Sequence, residues 1–595
     1  MWKSIPWLIV LITLIRGTVS VKDGVQVSPI YPDAVRNKTN TIDEVAGGAP
    51  EEPSPTPGDE NETEGGNVNG EKVIVTKQGP VRGYQIKNTN IWQFLDIPYA
   101  AFDPDNPFQA PTKPESWDTE HDITEHSSLC PQVNSDEAYV GITDCLTLSV
   151  FMPRGAKDAD ILFHIHDGGF IRGSGDPRIY GPGHLVTDNI ILVLPNYRLG
   201  ALGFLCLQNN IAPGNAALKD LSMALNWTSE NIELFGGNPA NIVVSGSGTG
   251  AALAQYLILS STSQEYVSKV ITESGFVLSH WAIDRAPLVT ANELIKRLNE
   301  SRAEIAKGSN ILSNSSVEKI ILASKGLIFR PCVEKEGFLT DTPWNLLRDQ
   351  KLNKSFMLGA ADRPGLHKAM QHTEESVSAL NQDFGLLLPN DLTFDEREEE
   401  KETGKRVKIQ YFGNNTITLE HRNELALCHS DCSYLSPGIR NARLLIAAGA
   451  TVYLYEFSFV SNTAGRNNHI VGAVQGDSLN FVFERQGHIP DEGSEEYKIK
   501  KLMTDFWITF IRTGSPTSEG VEWNELKKTN ESEEVWLSIG SSPEEKKGFH
   551  LDRLSLWTEI YNDHFIEHNL GNQAKPCIFS TCLVLLIGFV KNLRH

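Results

Sequence analysis

The chain has 595 residues, with 53 Lys and Arg against 75 Asp and Glu, which gives a formal net charge of −22 at pH 7. This acidic balance argues against a protein that coats nucleic acid or anionic lipid through a basic surface. A hydrophobic content of 40% suits a sizeable core and excludes a wholly disordered chain. We therefore expect a globular protein with no nucleic-acid partner, and no string of residues has the spacing of a metal or cofactor site.

The first twenty residues have the composition of a secretory signal peptide. A single Lys precedes a short apolar run over residues 5–15, and small residues follow at the expected cleavage positions. A buried N-terminal helix is the alternative interpretation. Residues 21–70 lack apolar periodicity and are rich in Asp, Glu, Pro and Gly, which predicts an acidic, disordered leader that acts as a spacer or a docking arm.

The carboxyl end of the chain is predicted to attach the protein to a membrane. A polar stalk over residues 562–576 leads into a short apolar tail, 577–595. As a helix the apolar run 577–590 would rise about 21 Å, which is short of the ~30 Å hydrocarbon core. Its length fits a lipid-anchor signal, whereas the basic residues after it fit a short membrane anchor. Free secretion is the alternative.

Because the chain is predicted to be exported, we expect asparagine-linked glycans and disulfide bonds. Asn-x-Ser/Thr sequons begin at Asn37, Asn61, Asn226, Asn299, Asn314, Asn353, Asn414 and Asn530. Two of the eight cysteines lie in the apolar tail, which leaves six for the remaining chain. Cys428 and Cys432, on either side of His429, are interpreted as disulfide partners rather than zinc ligands. The connectivity of these two cysteines with Cys206 and Cys332 stays open.

Between residues 71 and 561 the chain alternates strand and helix signals. A strand is predicted at 72–75, buried strands at 161–166, 190–194 and 241–245, and a helix within 218–235, and the runs 444–448 and 452–457 continue this pattern late in the chain. This alternation predicts one α/β domain, a large, mostly parallel sheet covered by helices on both faces. The highly charged segment 391–408 is predicted to be a solvated helix face.

Several strings in this domain resemble those of the type-B carboxylesterase and cholinesterase family, in the family's order, from about Gly79 to Trp557. The strings are those at residues 94–100, 144–146, 196–204, 214–215, 231–239 and 272–275. The resemblance implies an α/β-hydrolase fold. It also implies that Cys130 and Cys145 form the family's first disulfide loop.

That family works through a nucleophile elbow, Gly-x-Ser-x-Gly, with a histidine as base and an acid that orients it. Here the elbow is Gly246-Ser247-Gly248-Thr249-Gly250, so the nucleophile position is Gly248. The position of the acid is Pro364, and the position of the histidine is Gln475. Since none of these side chains can attack an ester or accept a proton near neutral pH, the resemblance implies a member that is not an enzyme.

The neighbouring loop also departs from the family pattern. His166-Asp167-Gly168-Gly169 stands where the family has His-Gly-Gly-Gly, and a carboxylate there opposes the developing oxyanion. Ser245 and Ser247 flank the tip of the elbow, and we expect their side chains to point elsewhere. His469, six residues before Gln475, is expected to be an ordinary surface histidine.

The family includes non-catalytic, cell-surface members such as neuroligin, gliotactin, glutactin and neurotactin. The resemblance therefore implies cell adhesion or matrix recognition through an extracellular protein partner, in a secreted protein or at the outer face of the plasma membrane. A carrier of a small apolar ligand in the former substrate gorge is the alternative, and a residual ester hydrolase is the second. Segment 499–511 is a candidate homodimer face, although its apolar positions are more typical of a core.

Overall fold

The computed structural model describes residues 70–298, 308–461, 471–485 and 490–566, and all of these belong to one compact unit, Glu62–His595. The predicted signal peptide, leader and apolar tail lie outside the described residues, apart from Gly70, and so does most of the stalk. The same is true of Asn37, Asn61, Asn299 and His469. Within the described ranges, no helix is long and apolar enough to cross a membrane.

Fifteen strands and fourteen α-helices make up the described chain. The strands are β1 (Glu71–Val75), β2 (Pro80–Gln85), β3 (Ile91–Pro98), β4 (His121–Asp122), β5 (Gln132–Val133), β6 (Tyr139–Val140), β7 (Thr147–Pro153), β8 (Ala159–Ile165), β9 (Ile190–Pro195), β10 (Gly237–Ser247), β11 (Lys269–Glu273), β12 (Ser355–Ala361), β13 (Thr451–Phe457), β14 (Val535–Ile539) and β15 (Glu544–Lys547). The helices are α1 (Gly200–Phe204), α2 (Ala216–Asn231), α3 (Thr249–Leu259), α4 (Pro287–Leu298), α5 (Gly308–Ser313), α6 (Val317–Ala323), α7 (Pro343–Asp349), α8 (Leu366–Met370), α9 (Glu374–Gln382), α10 (Arg397–Phe412), α11 (Arg422–Ser430), α12 (Ser436–Ala447), α13 (Glu495–Thr513) and α14 (Leu551–His564). A π-helical turn, Asp431–Leu435, joins α11 to α12.

One large mixed sheet organises these elements. Its strands run in the order β1-β2-β3-β7-β9-β8-β10-β11-β12-β13-β14-β15, with β4 beside β2. From β9 to β14 the strands of this order are parallel to one another. The pairs on either side of this block are antiparallel, except that β4 is parallel to β2. The chain moves from β8 to β9 on one side and then to β10 on the other, so the carboxyl ends of β8 and β10 meet where the strand order reverses.

Helices cover both faces of the sheet, as the sequence predicts. In β8, Leu162 belongs to one hydrophobic cluster and Phe163 to the other, because successive side chains of a strand point to opposite faces. Helices α2 and α3 contribute to the cluster of Phe163, and α13 contributes to that of Leu162. The strands are apolar throughout, since a parallel sheet covered on both sides exposes neither face.

The suggested dimer face on α13 is part of this core. Phe506, Trp507 and Phe510 are 1%, 1% and 0% exposed, and Leu502 packs partly buried against the same cluster. These side chains are therefore not available to a second copy of the chain. The charged segment forms α10, which is largely exposed, but Asp391 ahead of it is buried and accepts a hydrogen bond from the Tyr561 hydroxyl. The prediction that the whole segment is solvated was therefore wrong for Asp391, because the tyrosine hydroxyl takes the place of water at its carboxylate.

Two disulfide bonds join Cys130 to Cys145 and Cys206 to Cys332. The first closes the short loop that the family resemblance implies. Cys428 and Cys432 are buried free thiols, so the interpretation that they are disulfide-bonded was wrong. The two residues lie four apart on the continuous turns of α11 and the π-helix, and Cβ atoms spaced this way are about 5–6 Å apart, too far for a disulfide.

Candidate functional site

The tip of the elbow is a sharp turn between β10 and α3 at the carboxyl edge of the sheet. Gly248 adopts φ 52° and ψ −119°, and its N–H donates to the carbonyl of Glu273 at 2.8 Å. A positive φ favours glycine, which has no Cβ penalty there. The backbone thus keeps the shape of a nucleophile elbow at a position that offers no side chain for attack.

The flanking glycines are required by packing. A Cβ on Gly246 would lie 2.3 Å from the carbonyl carbon of Gly250, and a Cβ on Gly250 would lie 2.3 Å from the carbonyl oxygen of Ile165. Helix α3 therefore approaches β8 and β10 too closely for any side chain at these two positions. This steric requirement explains the two outer glycines of the elbow string, Gly246 and Gly250, and it does not depend on the residue at position 248.

The carboxylate of Asp167 occupies the amino end of α3. Asp167 follows the end of β8, and its Oδ1 accepts hydrogen bonds from the backbone N–H of Thr249 at 2.9 Å and from the Thr249 hydroxyl at 2.7 Å. A negative charge is favourable at this end of a helix, where N–H groups lack intrahelical partners. The N–H group that follows the elbow tip, which could receive an oxyanion, is thus already satisfied by the chain itself.

Gln475 completes the closure of the elbow from the opposite side. Its Nε2 donates to Oδ2 of Asp167 at 2.6 Å. A Cβ built on Gly248 would lie 2.1 Å from this Nε2 and 2.5 Å from Oδ2 of Asp167. We name Asp167, Gly248, Thr249 and Gln475 the elbow site; its polar atoms are paired with one another, and it has no room for a side chain at the tip.

Pro364 lies in the loop after β12, which is tied to the segment that carries Gln475. Oδ1 of Asp362 accepts the N–H of Ala473 at 2.6 Å, and the N–H of Arg363 donates to the Ala473 carbonyl at 2.9 Å. Burial raises the pKa of Asp362 to about 6. The structure therefore brings the segments of all three predicted positions, Gly248, Pro364 and Gln475, to one edge of the sheet, and Pro364 itself is a buried side chain without a proton to exchange.

The remaining loop residues shape the turn after β8. The φ of Gly168 is 149° and that of Gly169 is 66°, and a Cβ on Gly168 would lie 1.7 Å from the carbonyl oxygen of Arg172. The N–H of Gly169 lies 3.5 Å from Oδ1 of Asp167. The N–H of Gly169 thus faces the same carboxylate that Thr249 and Gln475 hold.

Neither serine beside the tip is placed to replace a nucleophile. The hydroxyl of Ser247 donates to Oε2 of Glu273 at 2.7 Å. Ser245 lies 2.8 Å from Nδ1 of His164 and forms a serine–histidine pair, but both residues are almost fully buried. Burial lowers the pKa of His164 to about 3, so this imidazole remains neutral and without access to an ester.

Glu273, at the end of β11, is a functional candidate that sequence reasoning missed. It is fully buried, and it accepts hydrogen bonds from Ser247, from the Ser274 hydroxyl and from the N–H of Gly476. Burial raises its pKa to about 7, with a smaller contribution from the nearby Asp167. The string 272–275 contains this residue, but from the sequence that string indicated only the family resemblance.

The described sequons divide into two groups. Asn314, Asn353, Asn414 and Asn530 are exposed. Asn226 lies within α2, where its Nδ2 donates to the Tyr266 hydroxyl at 2.8 Å, and Thr228 of the same sequon is fully buried. A glycan on Asn226 would have to break this hydrogen bond and leave through a helix that faces the core.

The mostly parallel sheet, with a glycine-framed turn at its carboxyl edge between β10 and α3, defines a protein of the α/β-hydrolase class. A model of the carboxylesterase family matches residues 70–557, and the chain belongs to that family. Juvenile hormone esterase from Manduca sexta, solved with OTFP covalently attached, superposes with a TM-score of 0.73 at 24% identity, over 83% of this chain and 100% of that one.

Two kinds of relative are similar in sequence. Esterase FE4 of Myzus persicae is 29% identical over 77% of this chain and 85% of its own length. Neuroligin-2 of Mus musculus is 26% identical over 82% of this chain and 67% of its own length. Because both kinds match at comparable identity, the function has to be argued from the site.

Proposed function

We propose that this protein is a non-catalytic member of the carboxylesterase family, which recognises an extracellular protein partner in cell adhesion or matrix contact. The observation that carries this proposal is the Asp167 carboxylate on the N–H of Thr249, directly beside a tip that has no nucleophile. An ester carbonyl in this position would meet a fixed negative charge where its oxyanion has to develop.

Three further features support the loss of hydrolysis. Gly248 supplies no nucleophile, Gln475 supplies no base, and Pro364 supplies no acid, where the family resemblance places these groups. Removing such a triad lowers turnover by a factor on the order of 10⁶. The residual rate that an oxyanion hole provides is also opposed here, since Asp167 fills the donor that would provide it.

The similarity to neuroligins supports the recognition role, and the terminal segments suit it. In this proposal residues 1–20 direct export, the acidic leader 21–70 is a spacer, and the stalk 562–576 with the tail 577–595 holds the α/β-hydrolase domain 71–561 at the outer face of the membrane. The exposed Asn314, Asn353, Asn414 and Asn530 are proposed to carry glycans.

The first test is hydrolysis of p-nitrophenyl acetate and butyrate by the purified full-length protein. We expect no turnover above that of a heat-denatured sample. Saturable turnover that a covalent serine-hydrolase inhibitor abolishes would overturn the non-catalytic assignment and establish the residual ester hydrolase instead.

The second test mixes suspended cells that express the full-length chain with differently labelled cells that lack it. Aggregates of expressing cells alone would establish homophilic adhesion, and aggregates across both populations would indicate a second receptor. Surface expression without either kind of aggregate would contradict the adhesion role.

A ligand carrier is the second candidate function, and a row of aromatic side chains favours it. Phe170, whose N–H lies 3.4 Å from the Thr249 hydroxyl, packs with ring centroids 6.4 Å from Trp281, and Trp281 packs 5.7 Å from Tyr434. We name Phe170, Trp281 and Tyr434 the aromatic row. It borders the elbow site with apolar side chains of the kind that line small-molecule sites, of which Phe170 and Tyr434 are buried and Trp281 is half-buried.

A further inference from the structure

The large sheet ends in two edge strands, β1 and β15, which differ in composition. All four residues of β15, Glu544–Lys547, are charged, and such residues on an edge strand oppose pairing with another chain. In β1 only the first two residues are charged, while Val73 and Val75 are 40% and 68% exposed. Since the other edge strands of the described chain, β4, β5 and β6, have two residues each, β1 is its one long edge with an exposed apolar half.

The pairing of β1 with β2 leaves a row of backbone groups facing away from the sheet. The N–H of Thr76 donates to the carbonyl of Gly79 at 3.0 Å, which closes the tight turn between these two strands. In an antiparallel ladder, residue pairs that exchange hydrogen bonds alternate with pairs that do not. Counted from this turn, Glu71, Val73 and Val75 therefore direct their N–H and C=O groups outward. Among the described residues, none hydrogen-bonds to these outward groups.

The edge is held firmly on the domain. Ile74, between the two valines, points to the other face of the sheet and is buried in the core. The N–H of Lys77 donates to Oδ1 of Asn231 at 2.9 Å, which ties the turn after β1 to the end of α2. The indole N–H of Trp117 donates to the carbonyl of Pro80 at 3.0 Å on the far side of the turn. A preformed edge of this kind loses little conformational freedom when a further strand pairs with it.

We propose that β1 pairs antiparallel with β1 of a second copy of this chain, about a twofold axis beside Ile74, so that the two sheets become continuous. In this register Val73 lies opposite Val75 of the second copy, and Glu71 lies opposite Lys77 of the second copy. The axis makes each contact occur twice. The valine pairs supply cross-strand packing, and the opposite charges fix the register. Lys77 is available for this contact, because its side chain is exposed and its Nζ lies 3.9 Å from Glu230.

A second copy suits this edge better than the chain's own leader does. Residues 60–66, shortly before β1, are Glu-Asn-Glu-Thr-Glu-Gly-Gly. Glycine and acidic residues are depleted in strands, and this segment would bring more carboxylates to an edge that already begins with Glu71. A second β1 brings two valines and an isoleucine, which favour strands. The pairing requires neither the loss of hydrolysis nor contact between cells, so it is independent of the function proposed above.

Disulfide cross-linking tests the pairing together with its register. Opposite residues of a hydrogen-bonded pair have Cα atoms about 5.5 Å apart, which a disulfide can bridge, whereas residues displaced by two positions lie too far apart. Full-length Val73→Cys is mixed with full-length Val75→Cys, oxidised with copper phenanthroline and separated by gel electrophoresis without reductant. We expect a covalent dimer in the mixture and not in either variant alone.

The control pair is Glu544→Cys mixed with Lys546→Cys, which places two exposed thiols at the same spacing on β15. The unsubstituted protein reports the cross-links that the native cysteines form. Cross-linking in the valine mixture no stronger than in these controls would overturn the proposal. Cross-linking by Val73→Cys alone would overturn the register, because it requires Val73 to lie opposite itself.

Sedimentation velocity of the full-length protein in detergent micelles measures the dimer without a cross-link. We expect a monomer–dimer equilibrium over a dilution series. Val75→Lys places on β1 the kind of charge that protects β15, and it should raise the dimer dissociation constant by roughly tenfold or more, since one substitution alters both symmetric pairs. Ile409→Lys, which replaces an exposed apolar residue of α10 in the same way, should have no effect.

Equal weakening by Ile409→Lys would show a general charge effect and contradict the surface. A monomer at every concentration would overturn the proposal and leave the edge to the leader or to a strand of another protein. At concentrations where the chain is monomeric, Val75→Lys should melt at the temperature of the unsubstituted protein, because Val75 is largely exposed. A lower Tm would assign Val75 to the stability of the domain and count against the proposal.

Discussion

The elbow site and the surroundings of Lys368 treat charge in opposite ways. At the elbow, one carboxylate is surrounded by donors of its own chain, namely the N–H and hydroxyl of Thr249 and the amide of Gln475. The ammonium of Lys368, by contrast, has the Ser433 hydroxyl oxygen as its hydrogen-bond partner and the charge of Arg330 nearby.

This difference indicates where a ligand can still gain binding energy. Polar groups that are hydrogen-bonded within the fold contribute little binding energy to a ligand, since their hydrogen bonds would first have to be broken. A sheltered charge without a counter-ion gains from one as soon as it arrives. The former reaction centre is therefore closed by its own residues, whereas the ammonium of Lys368 would still gain from a counter-ion.

The largest effect on stability is expected at Glu273, whose carboxyl group is buried beside the elbow site. Its pKa is about 7 in the folded protein against an ordinary 4.5, so the folded state holds the proton more tightly. The stability from this group is full below 4.5 and is lost as pH rises through about 7. The Glu273→Gln variant stays neutral at every pH. Between pH 4.5 and 8 its unfolding free energy should therefore come to exceed that of the unsubstituted protein by up to about 3 kcal/mol.

Urea unfolding across this pH range measures the gain. The exposed Glu398 on α10 provides a control, and Glu398→Gln should follow the pH profile of the unsubstituted protein. Parallel profiles for Glu273→Gln and the unsubstituted protein would show that Glu273 is ionised in the fold.

Asp167→Ala breaks the comparison directly, because it leaves the donors of the elbow site without their acceptor. The N–H of Thr249 and the amide of Gln475 lose charge-assisted hydrogen bonds, which should cost about 2–3 kcal/mol in unfolding free energy. Asp167→Asn keeps an acceptor for Thr249 and should cost less. Equal losses for the two variants would contradict this expectation and show that a neutral side chain of the same size cannot replace the carboxylate.

Gly248→Ser introduces the family's nucleophile and should lower stability by about 2 kcal/mol, through a positive φ and overpacking. Because the new Cβ would lie 2.1 Å from Nε2 of Gln475, the same change should cost less in a Gln475→Ala background. Thermal unfolding of the four chains gives this coupling. Additive losses would place the strain in the backbone or against Asp167 rather than against Gln475, and ester turnover by the serine variant would contradict the closed site.

The smallest effect is expected at Lys368. Lys368→Met, measured without ligand by urea unfolding, should change the unfolding free energy by less than about 1 kcal/mol, and in the stabilising direction. Asp431 gives the contrast, since it is buried and held by Arg553 and by the Tyr411 hydroxyl. Arg553→Met would strand this carboxylate and should destabilise the protein clearly. A large loss of unfolding free energy in Lys368→Met would show that Lys368 stabilises the fold as Arg553 does.

Much of the architecture was predictable from local patterns. The apolar runs that predict strands at 161–166 and 190–194 correspond to β8 and β9, since a strand buried on both faces needs apolar side chains throughout. The helical spacing from 218 is confirmed by α2, which ends at Asn231, and a 3-10 turn continues to Phe235. The unpaired state of Cys428 and Cys432 was not predicted, because it depends on the helix that carries them.

The sequence by itself determined the class of fold and the missing chemistry at the elbow, because apolar periodicity and the identity of Gly248, Pro364 and Gln475 are local properties. Only the tertiary structure decided what replaced that chemistry. Asp167 and Gln475 are 308 residues apart in the chain, and their hydrogen bond exists because β8 and the loop of Gln475 reach the same edge of the sheet. The contacts of His280 and Lys368 with the Ser433 hydroxyl likewise join three separate segments, and no spacing in the sequence records them.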